Sequence, residues 1–241
     1  MPKYVALACL EIKADTTILL PNWKWDRRVT VQFGDITMLS AELGFPHLAS
    51  RHHHPSESEF SDDKPYKGQT FDLVFCDGNV LSTNPRTAGS VNEAPRLTAA
   101  QLVIALQRIK PGGTLVVLLH QANNPRVVRL LEAFSQFSEI TLFKPTVSHV
   151  KRSSFCFVAK DVDPRNARAC RFVNEVKSAW GAYTARNIGL VFPKDSIEEW
   201  QRRDAMEDIL KSFGGRFIAL AVPVWEIQKE ALKKQFLSGE K

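Results

Sequence analysis

The amino-acid sequence predicts an α/β fold, a mostly parallel sheet with one antiparallel strand near its edge, followed by a helical C-terminal extension. Three observations carry this prediction. Short apolar, β-rich segments alternate with segments of helical period, as strand–helix–strand units require. The last two strand-like segments, ITLFKP (140–145) and SFCFVAK (154–160), are joined by a polar link too short for a crossover helix, so these two strands run antiparallel. After residue 162 the strand patterns give way to helical ones. The 241 residues suffice for one large α/β domain with an appendage. The expected division is a domain over 1–162 and an extension over 163–241.

Taken in order, YVALACLEI (4–12) and VTVQF (29–33) read as strands, with a helical piece around TTILL between them. DITMLSAELGF (35–45) reads as a short helix capped by Asp35 or Thr37, whose side-chain oxygens satisfy open backbone N–H groups. Residues 46–69 are rich in His, Ser, Pro and Asp and read as a surface loop. FDLVFCD (71–77) is a strand ending in an acid, and a loop follows to Pro95. RLTAAQLVIALQRIK (96–110) has apolar residues at helical spacing, and the Lys-Pro-Gly-Gly at 110–113 stops it. TLVVLLH (114–120) is a fully apolar strand and NPRVVRLLEAFSQF (124–137) an amphipathic helix. In the extension, NARACRFVNEVKSAW and SIEEWQRRDAMEDILKSFG read as helices, GGRFIALAV as a short strand and VWEIQKEALKKQFL as a closing helix.

Hydrophobic residues make up 44% and charged residues 24%, the profile of a soluble globular chain. No apolar run reaches the roughly 18–20 residues that span a bilayer, and the N-terminal segment has poor signal-peptide flanks. The net charge of +6 favours anionic partners, RNA among them, without identifying one. Cys9, Cys76, Cys156 and Cys170 have no metal-site spacing. Free thiols in a reducing compartment (cytoplasm, nucleus or mitochondrial matrix) are the simplest reading. His52, His53 and His54 are consecutive in a loop, and such runs rarely converge on one ion, so no metal is expected.

Four segments, GDIT (34–37), FDLVFCDG (71–78), LVIALQRIKPGGTLVV (102–117) and KPTVSHVKRSSFCFVAK (144–160), occur in an order that resembles the FtsJ-like branch of the class I methyltransferases. That branch includes RNA ribose 2′-O-methyltransferases, and the style with a long tail is most similar to fungal members. The resemblance covers roughly residues 4–160. It implies a Rossmann-like sheet with a reversed last strand and S-adenosylmethionine as cofactor at the carboxyl ends of the parallel strands. Asp35 matches the adenine-side acid, with Ile36 against the base. Asp77 matches the acid after the fourth strand, near the methyl group, and is the candidate catalytic residue. Around the final hairpin, Lys144, His149, Lys151 and Arg152 are candidates for RNA phosphate contact, where cations dominate affinity.

A ribose hydroxyl is a poor nucleophile at neutral pH, and a lysine of lowered pKa can share its proton. The resemblance implies a Lys-Asp-Lys-Glu set, and here that set is broken. Leu118 stands at the central lysine position, Ser154 at the glutamate position, and no match exists for the first lysine. No Gly-x-Gly turn occurs before residue 30. Either YVALACLEI is the family's second strand and the first strand is missing, or it is the first strand with a bulky loop in place of the glycine turn. Both impair cofactor binding, a truncated isoform or an incomplete gene model is the third explanation, and weak or absent catalysis by this chain alone is expected. The alternative is a non-catalytic RNA- or protein-binding scaffold. Residue by residue, the blander readings are a turn for Asp77–Gly78, a helix cap for Asp35 and a solvated basic loop for the hairpin. His120 is a further candidate base, and Trp23 and Trp25 are structural anchors or base-stacking groups. Trp180, Trp200 and Trp225 are expected in packing roles.

Overall fold

In a computed structural model, residues 4–9, 29–46, 60–78, 92–188 and 203–238 are described. Strands β1 (Tyr4–Cys9) and β2 (Val29–Gly34) pair in parallel as a two-stranded sheet. A 3-10 turn, Ile36–Met38, follows β2. The second sheet contains β3 (Phe71–Cys76), β4 (Ile109–His120), β5 (Glu139–Phe143) and β6 (Ser154–Val162), in the order β3-β4-β6-β5. β3 and β4 are parallel, and β6 runs antiparallel to both β4 and β5. The reversed strand is therefore inserted next to the edge, as the short link between the last two strands predicts. Helices α1 (Glu93–Arg108) and α2 (Pro125–Phe134) connect the strands, and α3 (Ala167–Ile188) and α4 (Arg203–Ser238) form the C-terminal part.

The period of two in β4 decides where the core lies. Leu115, Val117 and Leu119 are buried, and their partners Ala159, Phe157 and Phe155 on β6 are buried with them. The helices pack on this face. Phe134 of α2 meets Phe157 at 5.2 Å and Phe172 of α3 at 5.4 Å between ring centroids, and Leu97, Ala100 and Val103 of α1 are buried in the same cluster. The opposite face, with Val116, Leu118, Cys156 and Val158, is only half-buried, and Leu73, Phe75 and Phe143 on it are exposed. A buried ion pair fixes the loops below α1. Arg108 Nη2 lies 2.6 Å from Glu42 Oε1, and Arg108 Nε donates to the Pro65 carbonyl at 3.2 Å.

Three readings of local structure change. The Lys-Pro-Gly-Gly at 110–113 lies inside β4, since α1 already ends at Arg108. Residues 35–45 form a 3-10 turn and further turns rather than a regular helix. GGRFIALAV is not a strand, because α4 runs unbroken through it and through Pro223. The glycine pair and the proline read as breaks, but Phe213, Phe217, Ala221 and Val224 recur at helical spacing and are all buried. Burying that stripe offsets costs of about 1 kcal/mol for each glycine and about 3 kcal/mol for the proline. Trp180 is fully buried between Phe45 and Phe60, with centroids at 5.5 and 6.2 Å, so α3 shares its core with the strand domain. Among the described residues no helix is long and apolar enough to cross a membrane.

Candidate active site at the sheet rim

In a parallel sheet the carboxyl ends of the strands form the ligand-facing rim. Here that rim carries the end of β3, the end of β4 and the end of β5. Because β6 is reversed, its first residue reaches the same rim, with Ser154 paired to His120. The whole 144–153 hairpin therefore stands on the same side of the sheet as Asp77.

Asp77 is exposed and follows the last residue of β3. Cys76 pairs with Val117 on the buried face, so strand alternation puts Asp77 on the open face beside Leu118, which pairs in turn with Cys156. Electrostatics agree with this row. Burial raises the Cys156 thiol pKa, and the negative charge of Asp77 raises it further. Cys76, by contrast, is pushed up to about 12 by burial alone. By the same register Leu118, His120, Ser154 and Cys156 lie on one side of the sheet, Ser154 buried there and the other three not, so both positions of the broken set lie in one neighbourhood with Asp77. Leu118 brings no cation there and Ser154 no carboxylate.

Asp35 ends β2 as a cap. Its Oδ1 accepts from Thr37 N at 2.8 Å and from Thr37 Oγ1 at 2.7 Å. Ile36 is buried in the core, 3% exposed. The turn is tied to α1 by Arg96, whose Nη2 donates to the Thr37 carbonyl at 3.0 Å. Helix α1 also grips the end of β3. Gln101 Oε1 accepts from Gly78 N at 2.8 Å, and Gln101 Nε2 donates to the Gly78 carbonyl at 3.1 Å. Arg96 and Gln101 are five residues apart, roughly 7.5 Å along the helix, so one helix anchors the segments carrying both acids. Neither residue stands out in sequence reasoning. The available signal is a polar side chain within a buried run, Gln101 in AAQLVIAL.

The four basic candidates separate. His149, Lys151 and Arg152 are exposed on the hairpin, and His149 adopts φ 55°, an uncommon value for a residue with a side chain. Lys144 is 2% exposed, and its ammonium faces inward. Nζ donates to the carbonyls of Arg152 at 2.6 Å, Ser154 at 2.8 Å and His149 at 3.3 Å, and burial lowers its pKa. It closes the base of the hairpin rather than facing solvent. His52, His53, His54, Trp23, Trp25 and Trp200 lie outside the described residues. Among those described, no group of three His, Cys, Asp or Glu residues converges to hold a metal.

An exposed carboxylate at a strand's carboxyl end, followed by a glycine held at both backbone groups, suits a ligand bearing hydroxyl or ammonium donors. S-adenosylmethionine carries both. No curated protein matches the chain. A family model described as FtsJ-like methyltransferase matches residues 16–162, more than half of the sequence, taking in β2 and the whole four-stranded sheet and leaving β1 outside. Taken with a reversed strand beside the edge and an acid at the rim of β3, that match establishes that the chain belongs to the FtsJ-like methyltransferase family.

Proposed function

We propose that the chain binds S-adenosylmethionine at the rim of its sheet, through Asp77 with Asp35, and presents RNA ribose to it, while Ile36, 3% exposed, packs in the core beneath the Asp35 turn. The observation that carries this reading is the shared rim: Asp77 and the basic hairpin of His149, Lys151 and Arg152 lie on one side of the sheet. Cations there meet phosphates, which position a strand without reading its bases. When bound, S-adenosylmethionine supplies an electrophilic methyl group. The chain must orient the acceptor hydroxyl and remove its proton. A positioned base accelerates such a step about 10²–10⁴-fold. With Leu118 where the family has its lysine, this copy lacks that contribution and transfers methyl slowly or not at all. Apolar Leu118 beside Asp77 also favours the second reading, a scaffold that holds RNA without modifying it.

Transfer of tritiated methyl from S-adenosylmethionine to RNA, run beside RNA binding, tests both readings. The expected result is RNA binding by the wild type with little transfer, and a gain of transfer in Leu118→Lys/Ser154→Glu. Intact RNA binding with no S-adenosylmethionine binding supports the scaffold. Binding of neither overturns both readings.

A further inference from the structure

We propose that Gln101 is a positioning residue for Asp77, clamping the backbone on both sides of it so that its carboxylate meets a ligand in a fixed orientation. The inference deepens the reading of Asp77 as part of the S-adenosylmethionine site and rests on it. One side-chain amide satisfies both the N–H and the C=O of Gly78, at 2.8 and 3.1 Å. On the other side of Asp77, the Cys76 thiol donates to the Gln101 backbone carbonyl at 3.7 Å. The residues before and after Asp77 are thus held to a single helix residue, while Asp77 itself remains exposed.

The clamp also accounts for the glycine. A Cβ at position 78 would stand 3.1 Å from both Gln101 Cδ and Oε1, so a side chain there requires the amide to give by a few tenths of an ångström. Gly78 does not have a positive φ, so the close approach of Gln101, not backbone conformation, is what favours glycine there. A strand end normally frays because its last N–H and C=O groups lack ladder partners. Here the fraying end is closed by a side chain rooted in a buried helix, with Ala100 and Leu102 flanking it in the core. A ligand that meets Asp77 then avoids the entropy of ordering that backbone.

The test is a double-mutant cycle on S-adenosylmethionine affinity, with Gln101→Leu, Asp77→Asn and the pair, supported by amide exchange at Gly78. Gln101→Leu keeps the side-chain volume and removes both hydrogen bonds. The expected result is faster exchange at Gly78 and about tenfold weaker binding in the wild-type background, but less than about twofold change when Asp77 is already Asn. Gln101→Glu keeps the acceptor for the Gly78 N–H and loses the donor. It gives an intermediate loss, and it serves in place of Gln101→Leu should that variant fail to fold. Equal weakening in both backgrounds, or affinity unchanged by Gln101→Leu, overturns the positioning role. A wild type that does not bind at all overturns the proposed function and this inference with it, an outcome visible in the first titration of the cycle.

Discussion

Lys144→Met separates a hairpin clamp from a phosphate contact. Methionine fills most of the volume of the lysine stem, so little cavity forms, and the change removes chiefly the ammonium. Three carbonyls lose that donor, two of them held at 2.6 and 2.8 Å. The third, on His149, is longer and also accepts from Arg152 N, so it loses least. Stranding an acceptor costs about 1–3 kcal/mol when it is buried, and Arg152 lies on an exposed segment that water reaches, which puts its share at the low end. Relief of the ammonium's own burial, the cause of its lowered pKa, offsets part of the loss. A net cost of about 2–3 kcal/mol follows. In a chain of this size that corresponds to a fall in Tm of about 4–12 °C, read by calorimetry or urea denaturation. RNA binding supplies the second readout. Each phosphate contact adds about 0.7–0.9 to the slope of log affinity against log salt. Lys151→Ala/Arg152→Ala is expected to lower that slope by about two contacts' worth, and Lys144→Met to leave it unchanged. Unchanged stability together with a slope reduced by a full contact would refute the clamp.

Three further outcomes follow from the same geometry. Trp180→Ala, which empties a fully buried site between Phe45 and Phe60, is expected to cost about 3–5 kcal/mol in urea denaturation. Iodoacetamide mapping by mass spectrometry at neutral pH should label exposed Cys170 first, Cys156 more slowly and buried Cys76 last, because the thiolate is the reactive form. Lys110 holds the Asp72 carboxyl below the ordinary aspartate range, so the pair's contribution is present above that range and is lost as pH falls through the lowered value. Asp72→Asn should flatten that acid limb of the stability curve and leave neutral pH little changed, since the pair is exposed.

The strand–helix alternation and the short polar link between the last two strands made the mixed sheet legible, because side-chain period and connection length constrain it directly. The rim acid was legible for the same reason: Asp77 ends an apolar run. Three features depended on tertiary packing or on the path of the backbone and were not. The burial of Lys144 reflects three carbonyls that a charged residue in a polar link does not advertise. The continuity of α4 through Gly214, Gly215 and Pro223 comes from packing of one stripe, which overrides local helix-breaking signals. The clasp of Gln101 on Gly78 spans 23 residues and left only a polar interruption in an apolar helix.

Titration of S-adenosylmethionine into the wild-type protein and into Asp77→Ala, followed by calorimetry, bears most directly on the rim as a cofactor site. Binding by the wild type with Kd below about 1 mM is predicted, weakened about 10–100-fold in the variant as a charged hydrogen-bond partner is lost. Equal affinity in the two proteins, or no heat from either, would contradict it.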